Sequence, residues 1–87
     1  AGRIYYIEVK GRIAGSTTFT VTTNEVSFAQ TQGDRHRLAL VEVSSDGAKE
    51  DRLRYVTDAF GHIEPSATTR SYNEVWQDYW QRGGPPN

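Results

Sequence analysis

Two residues near the start of the chain, Glu8 and Lys10, stand two apart in the stretch IYYIEVKGR. Ile4 to Lys10 reads as a strand, apolar on both faces at its start, which predicts a central position in a sheet. Strand side chains alternate between faces, so Glu8 and Lys10 project side by side. A carboxylate beside an ammonium in fixed geometry suits phosphodiester hydrolysis. The carboxylate is a hard oxygen ligand of the sort Mg²⁺ prefers. The ammonium can stand near an attacking water or the developing charge. On its own the pattern is short, and E-x-K also arises as an exposed charge pair with no chemistry attached.

The elements that must position this pair follow along the chain. GRIAGS, Gly11 to Ser16, reads as a turn, and TTFTVT, Thr17 to Thr22, as a second strand that pairs with the first as a hairpin. Thr22 and Glu25 have the spacing of a capping box, which predicts a helix over Thr23 to Gln32, closed by Gly33. RHRLALVEV, from Arg35 to Val43, and RLRYVTDAF, from Arg52 to Phe60, read as strands around a polar turn, SSDGAKED. After a loop marked by Gly61 and Pro65, Tyr72, Val75, Trp76, Tyr79 and Trp80 fall on one helical face, with Ser71 and Glu74 as a second capping box. The expected order is β-β-α-β-β-α. The expected fold is α+β, of the α/β nuclease-like type: a mixed sheet of about four strands, one helix covering each face.

Composition narrows the classes. The 87 residues fit a single domain spanning 1–87. Ten Lys and Arg against eleven Asp and Glu give a net charge of −1, unlike a strongly basic nucleic-acid binder, though a local basic patch is compatible with it. With no cysteine there is no disulfide framework and no thiolate metal site. No apolar run is long enough to span a bilayer and no secretory leader is visible, so the expectation is a cytoplasmic domain without a membrane partner.

The combination Tyr6-Ile7-Glu8-Val9-Lys10-Gly11, Phe19 to Thr22, Asn24-Glu25, Phe28-Ala29, Gly33-Asp34 and Leu38 to Val43 resembles the NO VEIN C-terminal domain family, a branch of the PD-(D/E)xK restriction-endonuclease-like superfamily. The resemblance covers roughly the first half of the chain. It implies a nuclease fold and a metal-dependent nuclease acting on nucleic acid, DNA foremost, in a bacterial restriction or DNA-processing system. By carry-over Glu8 binds Mg²⁺ and Lys10 orients or activates water, both catalytic. The main-chain carbonyl of Val9 is a further metal ligand, and Asn24 and Glu25 support the site from behind. The superfamily also uses an aspartate on an earlier strand, but no Asp or Glu precedes Glu8. The expectation is therefore the C-terminal part of a nuclease-like domain, its site completed by an upstream segment or another protein chain. The alternative is a non-catalytic interaction or nucleic-acid-docking module with a degenerate nuclease fold. Asp46, Asp51 and Asp58 are the acids left to approach Glu8.

Other candidates carry their own plainer readings. Arg12, Arg35 and Arg37, with Arg52 and Arg54, can position phosphates or be solvated strand charges. His36 reads as a structural histidine. His62 with Glu64 can ligate a metal only with further ligands. The aromatic face of the last helix reads as a lid on the sheet, or, if exposed, as an anchor for a partner.

Overall fold

The computed structural model describes residues 3–13, 15–44, 47 and 51–85. Its elements run β1 Tyr6–Ile13, β2 Thr18–Thr22, α1 Thr23–Gln32, a 3₁₀ turn Gly33–Arg35, β3 His36–Val43, β4 Arg52–Thr57, β5 Ser71–Val75 and α2 Trp76–Arg82. The domain is α+β, with a three-stranded mixed sheet β1-β3-β4 and a separate two-stranded sheet β2-β5. β1 runs parallel to β3, with Glu8 opposite Leu38 and Lys10 opposite Leu40, and β3 runs antiparallel to β4. A parallel pair needs a long crossover, and β2 and α1 together form it.

The expected β1–β2 hairpin does not form. Gly11 stays extended within β1, which runs on to Ile13, and the chain turns at Gly15, whose φ of 103° suits glycine. Ser16 N–H closes that turn on the Ile13 carbonyl at 3.1 Å. Nor is β1 central: it lies at the edge of the three-stranded sheet.

The partner of β2 is β5, part of the segment expected as helix. Tyr72 sits opposite Val21 and Glu74 opposite Phe19. Tyr72 and Val75 are good strand formers, and β2 would otherwise have no partner for its backbone, so pairing overrides the helical spacing. The Ser71–Glu74 capping box is therefore absent. α2 starts only at Trp76, whose N–H is satisfied by the Thr17 carbonyl at 2.9 Å.

Helix α1 keeps its expected bounds. Thr22 Oγ1 accepts from Glu25 N–H and the Glu25 carboxylate accepts from Thr22 N–H at 2.8 Å, the full capping box. Val26 and Ala29 of α1, with Trp76, Tyr79 and Trp80 of α2, join Leu38, Leu40, Val56, Phe19, Val21 and Phe60 in one core. Phe19 meets Trp76 and Tyr79 edge-on at 6.0 and 5.0 Å, a preferred aromatic arrangement. Leu38 and Leu40 share one face of β3, so both helices pack on the same side of the three-stranded sheet. The expectation of one helix per face fails. Ile7, Val9, Ile13, Val43 and Leu53, on the opposite face, are exposed.

Candidate active site

Tyr6, Glu8, Lys10 and Arg12 alternate onto the helix-covered face of β1. Each meets a different neighbour. Tyr6 packs edge-on against Phe28 of α1 at 5.3 Å between ring centres. Lys10 Nζ reaches both carboxylate oxygens of Glu25, at 3.0 and 3.2 Å. Arg12 turns to Glu42 and Trp76.

Glu8 and Lys10 thus converge with Glu25 in a half-buried cluster of two carboxyls and one ammonium. Burial raises the pKa of Glu8, and the charge and hydrogen bonding of Glu25 raise it further; Lys10 only partly offsets this. Burial works against the charge of Glu25 as well. The Thr22 amide and the Lys10 ammonium outweigh it and hold that carboxyl below its usual range.

This donor set fits Mg²⁺. The ion takes oxygen ligands only and is typically held by one or two carboxylates, with water and substrate phosphate completing the shell. Burial raises Glu8 most and the Glu25 charge adds to it; a divalent cation would relieve that second, repulsive part. Among the described residues, no group of three or more His, Asp or Glu side chains is arranged around a common metal position. Glu25 is thus the acid that the fold brings to Glu8. Asp51 instead accepts from Ser44 N–H at 2.8 Å, and Asp58 lines a hollow with His62 and Asp78. Asp46 lies outside the described residues.

The remaining expected site residues scatter. Asn24 is exposed and lines a shallow cavity with Thr22, Ser66 and Arg70. Val9 turns its side chain to the open face, where it is exposed. Arg12 is committed: it pairs with Glu42 at 2.6 Å and lies 4.9 Å above the Trp76 ring. Arg35, the last residue of the 3₁₀ turn, is exposed. Arg37 stacks on Tyr5, 4.6 Å from the ring centre, on the face opposite Glu8. Arg54 lies over Trp80 and donates to its carbonyl.

Of the histidines, His36 is buried beside Phe60, and burial lowers its pKa, as a structural residue would show. His62 meets Glu74 and the Tyr79 hydroxyl, at 3.4 and 3.1 Å, rather than Glu64. This His62–Glu74–Tyr79 cluster was not legible in the sequence, because it depends on β5 placing Glu74 beside α2. Burial and Glu74 raise the Tyr79 pKa.

Residues 1–56 match the family model described as Protein NO VEIN, C-terminal, which is more than half of the 87 residues. The chain belongs to the NO VEIN C-terminal family. Comparisons with curated proteins and with solved structures found no match. The family span contains β1, β2, α1, β3 and all of β4 but Thr57, and so every member of the Glu8–Lys10–Glu25 cluster. β5 and α2, which supply Trp76, Tyr79 and Trp80 to the core of this NO VEIN C-terminal domain, lie outside it. No helix among the described residues is long and apolar enough to cross a membrane.

Proposed function

We propose that this NO VEIN C-terminal domain is a metal-dependent, nuclease-like unit acting on nucleic acid phosphodiesters, DNA foremost, in a restriction or DNA-processing setting. The observation that carries the reading is the convergence of Glu8, Lys10 and Glu25 in a half-buried spot, where Lys10 pairs with Glu25 and Glu8 lies beside that pair. The likeness of β1 to the catalytic strand of PD-(D/E)xK nucleases supports it. Glu8 and Glu25, with the Val9 carbonyl, would hold Mg²⁺. When bound, the ion supplies Lewis-acid polarisation of the phosphate and neutralises developing charge. Lys10, held in place by Glu25, would present its ammonium to orient water toward phosphorus. A further acidic ligand would come from an upstream segment or another chain.

A second reading rests on the double engagement of Glu25. One carboxylate caps α1 and pairs with Lys10, so the cluster also works as a clasp between β1 and α1. On that reading the domain docks nucleic acid or a partner without cutting. Incubation of DNA with the protein and Mg²⁺ or Mn²⁺ separates the two. The nuclease reading expects cleavage that Glu8→Ala and Lys10→Ala abolish, with calorimetric Mn²⁺ binding lost in Glu8→Ala. Absence of cleavage together with absence of metal binding favours the docking module.

A further inference from the structure

The face of the three-stranded sheet turned away from the helices is apolar and bare. Ile7 is 49 % exposed, Val9 60 %, Ile13 69 %, and Val43 and Leu53 39 % each. Ala39, Val41 and Tyr55 fill the positions between them, and no charged side chain interrupts this set. Tyr5 and Arg37 stand at one end, where with Ile7, Tyr55, Arg82 and Pro85 they line a cavity of about 550 Å³. Parallel strands with near-continuous apolar runs, as in Leu38 to Val41, ordinarily have both faces covered. Here the molecule measures 40 × 39 × 17 Å, a slab one sheet and one layer of helices thick.

We propose that this face pairs with the same face of a second copy of the chain, the two sheets stacking about a two-fold axis. The area supports the assignment. The exposed apolar side chains amount to roughly 600 Å², the upper end of what typical monomers leave bare. Doubled in an isologous contact, they bury on the order of 1,200 Å², the lower bound for a specific stable interface. The electrostatics support it too. A patch with no charge at its centre meets its own image without placing like charges together, whereas a charged partner would find groups to pair with only at the end that holds Arg37 and Arg82. Gly11, midway along β1 on this face, leaves a shallow trough between Val9 and Ile13. Stacked sheets approach to about 10 Å by interdigitating side chains, and the trough receives one from the opposing sheet. The helix-covered faces, with Glu8, Lys10 and Glu25, then point outward in both copies.

Sedimentation equilibrium of the 87-residue chain, from micromolar to hundreds of micromolar, tests this. The expected result is a monomer–dimer equilibrium. Val9→Lys should weaken it by at least ~tenfold, as a buried charge at an interface centre does. Thr20→Lys, on the other sheet, should leave it unchanged. Far-UV circular dichroism checks that each variant is folded, and Val43→Lys substitutes if Val9→Lys is not. A monomer across the whole range, or a dimer indifferent to both lysines, overturns the proposal and assigns the face to another occupant, such as an amphipathic helix of a different polypeptide.

Discussion

Two ionic clusters lie on the same face of the sheet, one step apart along β1, and they are built in opposite proportions. At Lys10 two carboxyls lie beside one ammonium, which bonds to Glu25. At Glu42 one carboxylate is shared by two guanidiniums, Arg12 and Arg52. The second cluster is closed. Arg12 makes two bonds to Glu42, at 2.6 and 3.3 Å, and rests on Trp76, while Arg52 lies over Trp80. Hydrogen bonds from Arg52 and Arg12 hold the Glu42 carboxyl below its usual range. The first cluster is open: Glu25 is satisfied, but Glu8 is raised by burial and by its acidic neighbour. Similar residue types yield a closed clasp where cations are in excess, and a carboxyl whose charged form is disfavoured where carboxyls are in excess.

The comparison breaks most visibly at the aromatic floor of the closed cluster. Trp76 is fully buried and packs on Trp80, Phe19 and Arg12. Trp76→Ala should cost about 3–5 kcal/mol, a large share of the ~5–15 kcal/mol that holds a domain folded. Urea unfolding followed by circular dichroism measures it. A loss below about 1 kcal/mol would mean that the Arg12–Glu42–Arg52 cluster does not depend on its floor.

Glu42→Gln should have a smaller effect, about 1–2 kcal/mol, because it leaves the partly buried Arg12 guanidinium, and the exposed one of Arg52, with a weaker acceptor. Its pH signature has a definite sign. The folded-state pKa of Glu42 lies below the unfolded value, so its contribution is present above the usual carboxylate range and is lost as pH falls through the folded value. The parent should lose stability toward acid more steeply than Glu42→Gln. Parallel curves for the two proteins would remove Glu42 from that acid transition.

How much of this was legible in the sequence depended on whether the signal was local. The Thr22–Glu25 capping box set α1 to the residue, since a cap is a contact between residues three apart. The period of two along IEVK put Glu8 and Lys10 on one face, and α1 brought Glu25 to them. Nothing local said that β2 would pair with β5, and in SYNEV the long-range demand of an unpaired strand overrode a helical spacing that fits equally well. The exposed face was hidden for the same reason. Ile7 and Val9 read as buried because they are apolar, and burial depends on what packs against them. The half of the domain that carries the polar cluster is the half the family covers, whereas the aromatic floor comes from residues whose strand and helix only tertiary structure separates.

The smallest expected effect on stability is at Glu8, and its sign separates the two clusters. Glu8 has a raised folded-state pKa, so folding favours its protonated form. Between the unfolded and folded values the native state binds more protons, so stability falls as pH rises through that window and stays lower above it. Glu8→Gln removes the charge but keeps the shape and a hydrogen-bonding amide beside Glu25. The variant should be equal to or slightly more stable than the parent at neutral pH, by less than about 1 kcal/mol, and its stability should be flatter as pH rises above the usual carboxylate range. This is the reverse of the Glu42→Gln trend, and chemical denaturation of the three proteins at matched pH reads both. A Glu8→Gln variant clearly less stable than the parent at neutral pH would make Glu8 a partner in the clasp like Glu42, and the open cluster would no longer differ in kind from the closed one. If instead the variant keeps its stability while losing divalent-cation binding, Glu8 is retained at a cost to the fold, as expected of a carboxylate positioned for a ligand rather than for packing.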